Sequence, residues 1–552
     1  MSESSGDIAI TGRVVSVSGS VDASAVLVRG GRIEAVGGPE VLARATALGV
    51  PVRDVGERVV LPGFVDPHIH FEQYAGVRGR AVDCRVPGVK TIAEVLEKLA
   101  DGLPHVPDGG WLRGYGNLFF DQKLAERRLP TRVELDRVSC RVPIVLQCGG
   151  HTSVLNTPAL ELAQVDRFLN GAAGLWGSPV IELDSAGSPT GVVSEIDQLL
   201  PIPPVDREAM AESLTTTYRD LFTSYGVTTF GEMVSSLDSV DPLDRLIGSG
   251  AIPARAALYA MVPSTAPLDE ACRWVAGYRS TAGPDRLLAA GVKMFADGGY
   301  SSRNAATRTA YVREHAPHAG YTGHLNLTQG ALIEAMRAVR REGIQLAVHA
   351  NGVRAQDEVV AAVLAAGGAH DHRPVRIEHA GNIVGARSDL EVWRRANVTP
   401  VLQPGFLFNF IADFVPLLLG DAGTTGRLPL RDMLDDGMAP AASSDVGPGA
   451  EDEQSSPLFS IWECMARQSY WGRTIDAEQS ISFAEALRLH TIEAARALGM
   501  DDRVGTLEPG KYGDMVVLDR DPRAVPLDQL RSVRVDTVYL GGRQVFSRDD
   551  AA

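Results

Sequence analysis

Leu61-Pro-Gly-Phe-Val-Asp-Pro-His-Ile-His70 is the stretch from which the fold of this 552-residue chain is read. An apolar approach runs into two histidines, His68 and His70, with one residue between them. Alternate side chains of a β-strand share a face, so this spacing aims both imidazoles the same way, as two ligands of one metal ion require. A surface strand can carry the same spacing by chance, so the motif gains meaning only if the rest of the chain supplies further ligands.

Working outward, apolar strand-like runs recur at 63–70, 226–233, 252–259, 291–297, 345–349, 375–379, 399–403 and 439–445, most of them separated by helical patterns. Eight such β-α units are what a parallel (β/α)₈ barrel needs. Helices are expected over 91–99, over 332–342 and over 482–498, the last with Ser482 as cap and Glu485 three residues on. The gap between the first two strands is far longer than a barrel connection. It predicts an α+β insert over 76–205 that emerges at the carboxyl rim, where barrel enzymes place their sites, and acts as a lid.

Short β-rich runs fill both ends of the chain, with Gly30-Gly31 and Gly541-Gly542 as two-residue hairpin signals. Neither set is large enough for its own core, so the ends are expected to combine into one discontinuous β-sandwich. The expected fold is therefore α/β. It has a sandwich over 1–60 plus 503–552, a TIM-type barrel over 61–75 plus 206–502, and the inserted lid.

Placed on these strands, His68, His70, Lys293, His349, His379 and Asp445 all fall at one rim. Barrel interiors are normally filled by branched apolar residues, so this many polar ends need a metal or a dense hydrogen-bond network. Imidazole and carboxylate donors suit zinc or a similar divalent ion, and an incomplete ligand set leaves a place for water. Such an ion makes water a nucleophile near neutral pH, and Asp445 stands where it could take and return the proton.

Composition narrows the alternatives. With 53 Lys+Arg against 69 Asp+Glu the formal charge is -16, which repels phosphates and anionic lipid and argues against a nucleic acid or membrane partner. Cys84, Cys140, Cys148, Cys272 and Cys464 are scattered and form no Cys-x-x-Cys pair, which disfavours disulfides and thiolate zinc sites. No signal peptide or long apolar run is found, and a soluble, cytoplasmic protein acting on a small molecule is expected.

Taken together, Pro62-Gly-Phe-Val-Asp-Pro-His-Ile-His70, Gly150-His-Thr-Ser-Val-Leu-Asn156, Pro189-Thr-Gly-Val-Val-Ser-Glu195, Lys293-Met-Phe-Ala-Asp-Gly298, Val348-His-Ala350, Glu378-His379 and Ser443-Ser-Asp445 resemble the amidohydrolase superfamily. The resemblance is to the branch called amidohydrolase family 3, which contains N-substituted formamide deformylase. It implies His68 and His70 as ligands of a more buried metal, His349 and His379 as ligands of a second, and Asp445 as metal-bound base. It also implies a carboxylated Lys293 bridging the pair, although a one-metal site with an unmodified lysine stays open. His151 is implied as a lid group that binds a substrate carbonyl or oxyanion, and a homo-oligomer, a dimer first, is implied by relatives.

Arg303, in the loop after the fourth strand, is a candidate clamp for a substrate carboxylate or a loop-fixing ion pair. Glu195 and Glu232 are read as carboxylates without a chemical task. Phe406, Phe408 and Phe410 alternate and offer an apolar wall or simple packing. The chain departs from the family's pattern at His349-Ala-Asn-Gly-Val353, where relatives carry an acidic group, and at Gly114-Tyr-Gly-Asn117. The leading expectation is hydrolysis of a non-peptide C–N bond, an N-substituted formamide or N-acyl amine. Isomerisation, decarboxylation or deamination at the same metal site, or a non-catalytic binding role, are the rivals.

Overall fold

The computed structural model describes residues 6–18, 23–172, 174, 177–367, 373–451 and 453–550. Eight parallel strands build its centre: β1 (Phe64–Ile69), β2 (Val227–Val234), β3 (Arg255–Met261), β4 (Leu287–Phe295), β5 (Gln345–His349), β6 (Arg376–Glu378), β7 (Thr399–Leu402) and β8 (Ala441–Ala442). They hydrogen-bond in chain order from β1 to β8. The Asp445 amide donates to the His68 carbonyl at 3.0 Å and the His70 amide to the Val446 carbonyl at 2.8 Å, which brings the two end strands together into a nearly closed barrel. All eight expected strands are present. Their apolar runs are buried on both faces, as strands under a coat of helices must be.

Small and medium side chains fill the barrel interior. Val65, Met233, Ala257, Tyr259, Ala347, Val401 and Ala441 pack in one cluster with Leu498 and Met500. The expected helix over 482–498 is two helices, Phe483–Leu489 and Ile492–Ala497. Ser482 and Glu485 do form the reciprocal cap. The break follows from the His490 carbonyl, which leaves the helix to accept the Val65 amide of β1 at 2.8 Å, and from a non-helical Thr491. A tertiary contact overrides the helical period there.

Both chain ends enter one seven-stranded sheet. Val52–Pro62 joins them, pairing in parallel with Ile8–Val14 and antiparallel with Met515–Leu518. Ile10, Val26, Val60, Met515 and Val517 pack together, and the helix Pro39–Ala47 joins Ala9, Ala25 and Leu27 in a second cluster through Val41 and Ala45. Gly30-Gly31 and Gly541-Gly542 turn their hairpins with positive φ at all four positions, as the two-residue hairpin demands.

The segment between β1 and β2 carries a six-stranded mixed sheet, from Val82–Asp83 to Pro189–Ser194, with apolar clusters around Ile144 and Leu146 and around Val145 and Val193. Its loop between Ile144–Cys148 and Thr152–Leu155 carries His151 to the rim of the barrel.

Candidate metal centre

His68 ends β1 fully buried, and His70 follows it at the rim. Their ring centroids lie 5.4 Å apart, and His68 lies 5.2 Å from His379, which lies 4.5 Å from His349. Asp445 Oδ1 approaches His68 Nε2 at 3.3 Å and His70 Nε2 at 3.4 Å, and Asp445 Oδ2 approaches His379 Nδ1 at 3.8 Å. His68, His379 and Asp445 each present a donor atom within 4.8 Å of the others.

Alternation along a strand would send Glu378 and His379 to opposite faces. The chain resolves this by turning left-handed just past the ladder, with φ of 67° at His379 and 52° at Asp445. Such a backbone is costly for non-glycine residues and is held here by hydrogen bonds: the His379 amide donates to Val401 and the Asp445 amide to His68.

Behind the histidines stand partners that fix their rings. His68 Nδ1 meets Glu378 Oε2 at 2.5 Å, and Glu378 is gripped in turn by Arg376 at 2.8 and 3.1 Å. His379 Nδ1 meets Gln403 Oε1 at 2.9 Å. Asp297, just beyond β4, accepts the amides of Ala306, Asn351 and Gly352 and sits 3.6 Å from His349 Nε2. Such outer contacts select the tautomer and free the opposite ring nitrogen for a ligand.

Burial, reinforced by neighbouring positive groups, holds His68, His70 and His349 well below the ordinary imidazole range and takes His379 to about 3. All four are therefore neutral, the state in which a ring nitrogen binds a cation. Lys293 is fully buried, its Nζ has no hydrogen-bond partner, and burial pulls it down to about 8. Burial raises Asp445 to about 7. Four neutral imidazoles, one carboxylate and a lysine with no hydrogen-bond partner form a poor apolar core but a suitable donor set for a divalent ion. The residues present fit a metal.

His151 faces this cluster from the insert, its ring 5.7 Å from that of His349. Burial would lower it, yet Glu195, 3.0 Å from its Nδ1, holds it above the ordinary value. Glu195 also accepts the Ser302 hydroxyl at 2.8 Å. The glycine pair after Asp297 makes room for this contact: a Cβ at Gly298 would lie 2.5 Å from Glu195 Oε1, and one at Gly299 2.7 Å from His151 Cδ2. Glu195, read from the sequence as a carboxylate without a chemical task, is thus the partner of His151. Glu232 accepts the Phe71 and Glu72 amides and secures the turn after His70.

A cavity of about 80 Å³ opens over the cluster, lined by His70, His151, His349, His379 and Asp445 on one side. Phe119, Phe406 and Phe410 form the other wall. Phe408 turns away to Phe459 and Trp462, because 407–411 is a π-helical turn in which Phe406 and Phe410, not every second residue, share a face. Arg303 does not line the cavity; its guanidinium pairs with Asp121 at 2.8 Å and the Ser301 carbonyl at 2.8 Å, the loop-fixing alternative.

The sequence profile of the amidohydrolase family matches residues 52–546. The chain belongs to the amidohydrolase family. Membership makes it a hydrolase of that family. This amidohydrolase is 28% identical to N-substituted formamide deformylase of Arthrobacter pascens over 537 residues, covering 95% of each chain. It is 26% identical to protein LONG AFTER FAR-RED 3 of Arabidopsis thaliana, covering 95% of this chain and 88% of that one. Its fold matches a metal-dependent hydrolase of Pyrococcus horikoshii OT3 with a TM-score of 0.71 at 22% identity, over 95% of this chain and 99% of the other. Among the described residues of this amidohydrolase, no helix is long and apolar enough to cross a membrane.

Proposed function

We propose that this amidohydrolase cleaves a non-peptide carbon–nitrogen bond in a small molecule, an amide of the N-substituted formamide or N-acyl amine kind. The observation that carries the reading is the grouping of His68, His379 and Asp445, with His70 and His349 packed against them and the buried Lys293, whose Nζ has no hydrogen-bond partner, close enough to act on Asp445. The similarity to a protein named for formamide deformylation supports the choice of bond.

In this reading His68 and His70 would hold one divalent ion, zinc by donor chemistry, and His349 and His379 would hold a second. Such an ion, when bound, lowers the pKa of water towards neutrality and polarises a carbonyl. As a carbamate, Lys293 would supply the two ions with an anionic oxygen donor. Its amine, brought to about 8 by burial, is partly neutral at physiological pH and can add carbon dioxide, which replaces a repelled ammonium by an anionic oxygen donor.

Asp445, raised to about 7, is matched to take a proton from the attacking water and deliver it to the leaving nitrogen. His151 donates to the carbonyl oxygen from the lid side, where Glu195 favours its protonated form and aims it. The wall of Phe119, Phe406 and Phe410 excludes water and accepts an apolar substituent. The barrel, 61–75 plus 206–502, thus supplies the metal and base, and the insert, 76–205, supplies the oxyanion donor.

A panel of N-formyl and N-acyl amines, assayed for amine release with wild type and D445N, tests the assignment. Wild type hydrolyses at least one amide, and D445N falls by about 10²–10⁴-fold. Undiminished turnover by D445N overturns it.

A further inference from the structure

A second concavity of about 610 Å³ lies between the insert and the β1–β2 side of the barrel, and it shares Gln73 and Pro448 with the catalytic cavity. The two spaces are therefore neighbours, with Gln73 and Pro448 lining both. Gln73 Nε2 is buried at this junction without a hydrogen-bond partner.

Arg113 lines this groove. Its guanidinium makes only long contacts to neutral acceptors, Gly76 carbonyl at 3.5 Å and Gln147 Oε1 at 3.3 Å, and its buried Nε has no partner. Arg113 makes no ion pair among the described residues. Asp197 is near enough to act on its charge, but it spends Oδ1 on the Ser153 hydroxyl. Arg80, which repels Arg113, bonds only to Ser213, Ala75 and Ala209, and Arg207 stands exposed on the groove. Arginines such as Arg255, Arg303, Arg376 and Arg427 are matched to carboxylates, whereas Arg113, Arg80 and Arg207 make no ion pair among the described residues.

A half-buried guanidinium keeps its planar fork of donors and pays for lost hydration unless an anion arrives. Its shape fits a carboxylate bidentately. Glu72, whose carboxylate accepts the Ser239 hydroxyl at 2.7 Å, also lines the groove, and this negative neighbour with Asp197 disfavours a doubly charged phosphate.

We infer that Arg113 anchors a carboxylate on the part of the substrate remote from the scissile bond, with the groove as the subsite for that remote part and Gln73 as the polar contact between the two spaces. The inference rests on the amide hydrolase reading for the reaction, and on the groove's own geometry for the ligand.

The test uses two amides of equal length, one ending in a carboxylate and the other in a carboxamide. In R113Q the KM of the acid rises at least 10-fold more than the KM of the carboxamide, with the kcat of the acid within twofold of wild type. An equal change in both KM values, or none, overturns the inference. R113K, which keeps the charge but not the fork, gives the same pattern at roughly 3-fold or more and serves if R113Q does not fold. If neither amide is hydrolysed, the amide reading fails by itself, and calorimetric titration with glutaramate, which carries a single carboxylate, decides the subsite. Binding to wild type that weakens 10-fold in R113Q upholds it; no binding, or equal binding by both proteins, overturns it.

Discussion

Glu195 Oε2 lies 3.0 Å from His151 Nδ1, and the Glu195 amide donates to the His151 carbonyl at 3.0 Å, so one residue of the insert fixes another by both backbone and side chain. Glu195 does so from a left-handed backbone, φ 60°, which only glycine adopts without strain. E195Q keeps the shape and removes the charge. The charge is what raises His151, so the alkaline limb of kcat/KM in E195Q should move to lower pH, and kcat should fall about 10–100-fold. A full pH-rate profile of both proteins reads this out.

Arg376, Glu378 and His68 form a buried chain that ends on the ring proposed to hold the first metal. E378Q leaves His68 without its charged partner and should weaken metal retention about 10–100-fold. Competition with a chelator of known affinity, followed by metal analysis, measures it.

The fold was legible where side-chain pattern alone decides structure. Eight apolar runs gave the eight strands, even β8, whose ladder is only Ala441–Ala442, because the approach to Asp445 is apolar on both faces. The residues proposed as ligands were legible for the same reason: His68, His349 and their kin end such runs. The residues that orient them were not. Glu378 reaches His68 across 310 positions and Glu195 reaches His151 across 44, distances at which no local period survives. The local signs that existed were adjacency, Glu378 beside His379, and the Asp297-Gly-Gly299 turn that gives Glu195 and His151 room. The break at His490 and the rotation of Phe408 out of the cavity depend on contacts with β1 and Trp462 that the sequence does not display.

His490 gives the stability a pH dependence of its own. It is 3% exposed, its Nε2 has no partner, and burial lowers it to about 3. An unfolded imidazole titrates near about 6.5, so below that pH the unfolded chain binds a proton that the folded chain refuses. This contribution is complete above pH 6.5 and is lost as the pH falls towards 3. Between pH 7 and 5 the wild type should lose up to about 2 kcal/mol more than H490N, at ~1.4 kcal/mol per pH unit. Urea unfolding at the two pH values compares them.

Phe410 stacks on Phe119 at 5.1 Å and touches Phe406 at 4.8 Å, joining insert to barrel across the cavity. F410A should cost about 3 kcal/mol of stability through the void it leaves, and raise KM for amides with bulky apolar substituents more than for small ones. Denaturant midpoints and a substrate series of graded size check the two effects.

The central claim is that the six-residue rim holds metal and uses it to hydrolyse an amide. The direct test purifies the enzyme without chelator, counts divalent metal per chain, strips it, and follows formate release from an N-substituted formamide before stripping, after stripping and after zinc is returned. The account predicts one to two equivalents of metal, loss of hydrolysis on stripping and recovery with zinc. Less than one equivalent together with hydrolysis that survives stripping would contradict it.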